Sequence, residues 1–251
     1  MSTSTAAQLA RWTAIWEAEP TGWSFGHLTC YNTDKPPWDF GELCQQHIET
    51  TGHTGSLLDL GTGGGERLLA LAAAVPGGLP ADTVATEGWP PNIEPATSAL
   101  AAIGVRVLAY SDDTDGPMPF PANRFDLTMS CHESYRPDEV ARTLRPGGVF
   151  LTQQVVGTEA GEFREWFGGR PQWPKVQREV FVAATADAGL RVTDSNDWTG
   201  GYHFADVDTM VGYLRIVPWD VPADFSPAAY ADQLFALDDR LRQTGVPLRV
   251  T

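Results

Sequence analysis

The chain of 251 residues has few lysines and no long apolar run. Lys35 and Lys175 are its only lysines, and 32 acidic residues against 17 basic ones give a formal net charge of −15. Proteins that follow a phosphate backbone carry basic stripes, so this charge argues against a nucleic-acid partner. No segment approaches the roughly 20 apolar residues of a membrane-spanning helix, so we expect no membrane partner.

Cysteine is scarce as well. Cys30, Cys44 and Cys131 are odd in number and lack the spacing of metal ligands, which favours reduced thiols over a disulfide framework. Residues 1–5 are polar and uncharged, and no apolar core follows them, so we expect no signal peptide and a cytoplasmic protein. Abundant Ala, Gly and Pro with little Lys is typical of a GC-rich bacterial genome.

The stretch from Ser56 to Leu71, S-L-L-D-L-G-T-G-G-G-E-R-L-L-A-L, organises the chain. A short apolar run precedes four glycines, and leucines at helical spacing follow them, which predicts a strand, a glycine turn and a helix. This is the first unit of a nucleotide-binding α/β sheet. A dinucleotide fingerprint would need glycine where Glu66 stands, so the sequence disfavours a nicotinamide cofactor.

Strands and helices then alternate as far as residue 195, which predicts a parallel sheet in an α/β protein. Further strands are predicted at 82–86, 105–110, 125–130, 149–156 and 190–194, with a final one starting at 248. Predicted helices occupy 4–17, 39–49, 91–103, 138–144, 175–188, 207–216 and 227–242. We expect a single domain, with a helical N-terminal lid (1–53), a core (54–195) and C-terminal lid helices with an incomplete last strand (196–251).

Four more segments follow the glycine turn in order. V-A-T-E places Glu87 after an apolar strand, where nucleotide-binding sheets hold ribose hydroxyls. S-D-D-T-D-G-P-M-P-F offers Asp112, Asp113 and Asp115 after the next strand. R-F-D-L-T-M-S and L-R-P-G-G-V-F-L then cover the fourth strand and the turn before the fifth. The alternative is that Glu87 is a solvated loop residue that binds no ribose.

Together with D-x-G-x-G-x-G at residues 59–65, these segments resemble the class I S-adenosylmethionine-dependent methyltransferases, over residues 55 to 156. The similarity is greatest to the small-molecule branch known as type 11 or ubiquinone-biosynthesis-like. It implies a Rossmann-like, doubly wound, mostly parallel seven-stranded sheet with helices on both faces, and S-adenosyl-L-methionine as the cofactor. The residues it implies for cofactor binding are Asp59, Gly61, Thr62, Gly63, Gly65, Glu87, Asp113, Thr114 and Ser130.

The fourth predicted strand ends at Cys131, His132 and Glu133, and ligands of open α/β sheets bind at the carboxyl ends of the strands. His132 is the candidate general base, because the ordinary pKa of histidine suits proton removal near neutrality. Glu133 is the second catalytic candidate, as a group that orients His132 or binds substrate. His132 could instead only hydrogen-bond the cofactor or a backbone carbonyl. His132 and Glu133 are adjacent and lack a third ligand, so no metal site is expected.

Aromatic residues near both ends of the chain suggest a pocket for a flat or apolar acceptor. Ordinary aromatic packing is the alternative. The residues expected to contact substrate are Trp23, Tyr31, Trp38, Gln153, Gln154 and Tyr202.

The sequence thus predicts an S-adenosylmethionine-dependent methyltransferase for a small molecule, such as a natural product. The alternatives are a protein of this fold that catalyses a cyclisation or elimination, and a non-catalytic binding subunit. Either a monomer or a homodimer is expected.

Overall fold

The computed structural model describes residues 3–19, 25–26, 28, 31–112 and 115–251. The elements are, in chain order, α1 (Thr3–Glu17), β1 (Tyr31–Thr33), α2 (Phe40–Thr51), β2 (Ser56–Leu60), α3 (Glu66–Ala74), β3 (Asp82–Glu87), α4 (Pro90–Ala101), β4 (Arg106–Ala109), β5 (Phe125–Cys131), α5 (Pro137–Thr143), β6 (Leu144–Gln153), α6 (Gly161–Phe167), α7 (Arg178–Asp187), β7 (Tyr202–Phe204), α8 (Val207–Ile216), α9 (Ala231–Thr244) and β8 (Leu248–Val250).

The chain forms two compact units. The first, called the sheet unit, comprises Trp38–Val155 and Arg178–Ser195. The second, called the terminal unit, comprises Met1–Pro37, Val156–Gln177 and Asn196–Thr251.

The sheet unit contains a parallel five-stranded sheet in the order β4-β3-β2-β5-β6. If the five strands of this sheet are renumbered 1 to 5 in chain order, their spatial order is 3-2-1-4-5, which is the doubly wound arrangement. The strand order reverses between β2 and β5, and such a switch point opens a crevice at the carboxyl ends of the two strands. The crevice therefore lies next to residues that follow Leu60 and Ser130, which are paired in the register.

Both faces of this sheet are covered, because every residue of β2 is buried. Successive side chains of a strand point to opposite faces. Leu57 accordingly packs in one apolar cluster with Leu68 of α3, whereas Leu58 packs in another with Phe125 and Val140. A nearly continuous apolar strand is what a parallel sheet with helices on both faces requires.

The sheet prediction needs two corrections. No strand forms at 190–194, and residues 190–201 have no regular secondary structure. Residues 191–199 are all exposed, so this segment has no apolar face that strand pairing would bury. The last strand does form as β8, but it pairs antiparallel with β7 in a separate sheet. The expected seven-stranded sheet is therefore five-stranded.

The segment boundaries also differ from the expected ones. Helix α2 begins after Asp39, whose carboxylate accepts the N–H groups of Gly41 and Glu42, as the sequence predicted for this cap. The helix contacts α3 and β5 and belongs to the sheet unit, although it was expected in the N-terminal lid. Residues 156–177, expected in the core, belong to the terminal unit. That the chain is a single domain and that its terminal segments act as a lid remain predictions.

The terminal unit has its own apolar core around α8 and a three-stranded antiparallel sheet in the order β1-β7-β8. The carboxylate of Asp206 caps α8 by accepting the N–H of Thr209 at 2.7 Å. Helix α1 packs on α8, where the Trp12 indole N–H donates to Asp208 at 2.9 Å. Among the described helices of both units, none combines the length and the apolarity that crossing a membrane would need.

Candidate functional site

The glycine turn after β2 adopts the left-handed backbone region at three positions. The φ angles of Gly61, Gly63 and Gly65 are 66°, 63° and 90°, values that residues with a Cβ rarely adopt. Two backbone bonds close the turn: the N–H of Gly65 donates to Thr62 at 3.0 Å, and that of Thr62 donates to Thr86 at 2.9 Å. The turn predicted from the sequence is therefore present, with helix α3 beginning directly after Gly65.

The three glycines have different surroundings. A Cβ on Gly61 would overlap the side chain of Glu133, and one on Gly65 would lie 2.9 Å from Cγ of Leu100. A Cβ on Gly63 would meet no atom within 4 Å. Gly61 and Gly65 thus allow close packing within the protein, whereas the backbone at Gly63 borders open space that a ligand can enter.

Glu87, the last residue of β3, holds this turn in place. Its Oε2 accepts the N–H of Gly63 at 2.7 Å, and its Oε1 accepts the N–H of Trp89 at 2.8 Å. Burial raises the pKa of Glu87, and these backbone donors oppose the rise. Each oxygen of a carboxylate has a second lone pair, so Glu87 can accept further hydrogen bonds.

Asp59 brings a second buried carboxylate to the end of β2. Burial raises its pKa to about 6, while the Thr62 hydroxyl and the Arg67 guanidinium oppose that shift. Asp59 therefore holds its proton more tightly than an ordinary aspartate, and in its ionised form it places negative charge beside the glycine turn.

The end of β5 lies next to the end of β2, because Ser130 pairs with Leu60. The Ser130 hydroxyl donates to the carbonyl of Glu133 at 3.4 Å, and the Glu133 side chain covers Gly61. The structure thus brings Gly61, Ser130 and Glu133 together.

His132 is one of three non-glycine residues with positive φ among those described, at 61°. Its backbone N–H donates to the carbonyl of Gln153 at 2.8 Å, and its Nε2 lies 3.2 Å from Nε2 of Gln153. The amide oxygen of Gln153 in turn accepts the indole N–H of Trp38 at 3.0 Å. Three residues predicted as catalytic or substrate-contacting are therefore linked.

The pKa of His132 differs from the near-neutral value expected from the sequence. The residue as a whole is exposed to solvent, but the protein atoms around its ring desolvate the ring and, with the positive charge of Arg67, lower its pKa to about 4. His132 is therefore neutral at pH 7, but it is a weaker base than an unperturbed imidazole.

Arg67 is the site residue that the sequence analysis missed. It is exposed in the first turn of α3, and its guanidinium lies over the ring of Phe40, 5.5 Å from the centroid. Its charge acts on Asp59, His132 and Cys131 together. The sequence signal that could have identified Arg67 is its position in the first turn of the helix that follows the glycine turn.

Burial raises the pKa of Cys131, so its thiol stays protonated at neutral pH.

The acidic segment after β4 is only partly described. Asp113 and Thr114, expected to contact the cofactor, lie outside the described residues. Asp112 accepts the Tyr110 hydroxyl at 3.1 Å, and Asp115 accepts the N–H of Ser111 at 2.7 Å. The two described acids thus form hydrogen bonds within their own segment.

The expected substrate residues divide between the two units. Trp38, Gln153 and Gln154 belong to the sheet unit, where the Gln154 amide donates to the carbonyl of Glu133 at 3.1 Å. Tyr31 and Tyr202 belong to the terminal unit. Trp23 lies outside the described residues.

Within the terminal unit, the rings of Tyr31 and Tyr202 stack 6.0 Å apart. Each also contacts the buried Tyr213, and the Tyr202 hydroxyl donates to Glu159 at 2.8 Å. These aromatic side chains pack against one another as part of an apolar core. Within the described residues, no group of three or more His, Cys, Asp or Glu side chains could hold a metal ion.

No protein-family model and no curated protein matches the chain. Among solved structures, YcgJ from Bacillus subtilis is 20% identical, and the match covers 84% of this chain and 93% of YcgJ with a TM-score of 0.54. A SAM-dependent methyltransferase from Aquifex aeolicus is 20% identical over 60% of this chain and 80% of its own, with a TM-score of 0.43. A geranyl diphosphate methyltransferase in complex with SAM is 14% identical over 84% and 82%, with a TM-score of 0.47.

The similarity to YcgJ extends over most of both chains and, at this identity, concerns the fold. The strand order and the switch point of this chain are those of a doubly wound sheet. The chain therefore has a Rossmann-like α/β fold, which it shares with YcgJ.

Proposed function

We propose that this protein transfers a methyl group from S-adenosylmethionine to a small molecule. The observation that carries the proposal is the glycine turn at the switch point, where the left-handed Gly63 borders open space. Glycine permits close approach of a ligand to the backbone, and this position is the expected ligand site in an open α/β sheet.

The residues of the turn fit the polar groups of this cofactor. Glu87 holds the N–H of Gly63 and keeps lone pairs that can accept ribose hydroxyls. Asp59 supplies negative charge, which suits the ammonium and the sulfonium. Thr62 and Ser130 lie on the same edge, at the ends of β2 and β5. We assign Asp113 and Thr114 to the adenine side on the resemblance alone.

The bound cofactor supplies a methyl group that its sulfonium already activates. The protein's task is then to position the acceptor for an in-line displacement and to exclude water. The residues available for this at the crevice are His132 and Glu133, with Trp38, Gln153 and Gln154 in the same unit. The acidic net charge favours a small-molecule acceptor over a nucleic acid.

Two measurements test the proposal. Calorimetry is expected to detect binding of S-adenosylmethionine and of its demethylated product, and no binding of NAD. Incubation with methyl-labelled cofactor and a small-molecule extract is expected to yield a labelled product. Binding of NAD with neither sulfur nucleoside bound would refute the cofactor assignment. Cofactor binding with no labelled product from a broad acceptor panel would instead favour the cyclisation, elimination or binding-subunit alternatives.

A further inference from the structure

A chain of hydrogen bonds links Trp38, Gln153 and His132. All three residues belong to the sheet unit. The Trp38 Nε1 is 3.0 Å from Oε1 of Gln153, and Nε2 of Gln153 is 3.2 Å from Nε2 of His132. Within the described part of the chain, the structure records no protein partner for Nδ1 of His132.

The direction of these bonds follows from the chemistry of the groups. An indole nitrogen can only donate, so the Gln153 group that faces Trp38 must be the amide oxygen. The amide nitrogen therefore faces His132, and it too can only donate. Nε2 of His132 must then be the acceptor, which leaves the proton of the neutral ring on Nδ1.

The backbone keeps His132 and Gln153 together. Gln153 pairs with Cys131 in the β5–β6 register, and its carbonyl accepts the backbone N–H of His132 at 2.8 Å. His132 has a φ of 61°, in a region that costs a residue with a Cβ free energy and occurs at functional sites. One glutamine thus holds both the main chain and the ring of His132.

We propose that Trp38 is a positioning residue that fixes His132 as the Nδ1–H tautomer, so that its open nitrogen donates to an oxygen of the methyl acceptor. This deepens the proposed function and rests on it for the identity of the ligand. Its substrate class is an acceptor with a carbonyl or carboxylate oxygen, because an N–H donor at Nδ1 requires an oxygen that accepts a hydrogen bond. His132 is then a hydrogen-bond donor, because the nitrogen that could accept a proton is occupied by Gln153.

NMR on the full chain labelled with ¹⁵N-histidine tests the tautomer directly. The wild type without ligand is expected to show Nδ1 of His132 protonated and Nε2 unprotonated at pH 7. Trp38→Phe removes the donor that orients Gln153, so a mixture of the two tautomers is expected. Trp173→Phe, at an exposed tryptophan of the terminal unit, is the matched control and should leave the His132 signals as in the wild type.

A second variant keeps the proposal falsifiable if Trp38→Phe fails to fold. Gln153→Glu offers only acceptor oxygens, so it should accept from both Trp38 and His132 and move the His132 proton to Nε2. A wild-type protein with the proton on Nε2 would overturn the proposal. Unchanged His132 signals in a folded Trp38→Phe protein, or an unprotonated Nε2 in Gln153→Glu, would do the same.

The tautomer experiment needs neither cofactor nor acceptor, so it can fail or succeed independently of the proposed function. Once an acceptor is known, Trp38→Phe is expected to raise the acceptor KM about five- to tenfold with little change in cofactor affinity. A fall in kcat at unchanged KM would contradict the donor role even if the tautomer is as proposed. A purely structural role of Trp38 would leave the tautomer of the folded variant unchanged.

Discussion

Replacing Gly63 by alanine separates ligand contact from protein packing at the glycine turn. The added methyl group meets no protein atom within 4 Å, so its structural cost comes only from the positive φ of 63°. That backbone cost is roughly 1–2 kcal/mol for a residue with a Cβ. The methyl group would nevertheless occupy the space in which the proposed cofactor approaches the backbone. We therefore expect a folded protein with at least about tenfold weaker cofactor binding, or ~1.4 kcal/mol.

Two other glycines provide the controls. Gly77 has a φ of 89°, and a Cβ added to it would also meet no atom within 4 Å, but it follows α3 at the end away from the turn. Gly77→Ala should carry the same backbone cost and leave cofactor affinity unchanged. Gly65→Ala would place a methyl group 2.9 Å from the buried Leu100. Overpacking there should cost a further ~1–3 kcal/mol of unfolding free energy.

Urea unfolding and calorimetry with the demethylated cofactor together measure both quantities. Wild-type affinity in a folded Gly63→Ala protein would refute the argument that Gly63 borders the ligand. Equal unfolding free energies for Gly63→Ala and Gly65→Ala would refute the packing argument for Gly65.

Three titratable side chains lead to further predictions. Glu87→Ala should weaken cofactor binding by ~1–3 kcal/mol in calorimetry, because ribose hydroxyls lose a charged acceptor; unchanged affinity would make Glu87 only a support of the turn. The pKa of His132 is lowered to about 4, so protonation of His132 should cause no inflection in the pH profile of kcat/KM between pH 6 and 8. An inflection near pH ~6.5, the ordinary pKa of histidine, that the His132→Ala substitution abolishes would contradict this expectation. Burial and the Glu159 charge raise the pKa of Asp220 to about 7, above its ordinary value near 4. The folded state then retains a proton that the unfolded state has lost, so the unfolding free energy should fall as pH rises from about 4 to about 7. Urea unfolding of Asp220→Asn should show a smaller fall over that range, and an identical pH profile would refute the assignment.

Much of the sheet unit could be predicted from the sequence because its signals are local. The run at 56–60 followed by glycines and spaced leucines predicts a strand, a turn and a helix, and β2, the turn and α3 form there. Glu87 was expected after the second strand, and it holds Gly63. The same logic failed at 190–194, where an apolar-polar run has no buried face and forms no strand.

The sequence by itself thus determined the order of strands and helices from β2 to β6 and the edge of the sheet that carries the glycine turn, because hydrophobic periodicity and glycine placement act within a few residues. Only the tertiary structure decided which strand pairs with β8, since strand pairing joins segments that are remote in sequence. It also decided the roles of Arg67 and of the Trp38–Gln153–His132 chain. Their contacts span α2, α3, β5 and β6, and the lowered pKa of His132 depends on the surroundings that this packing creates.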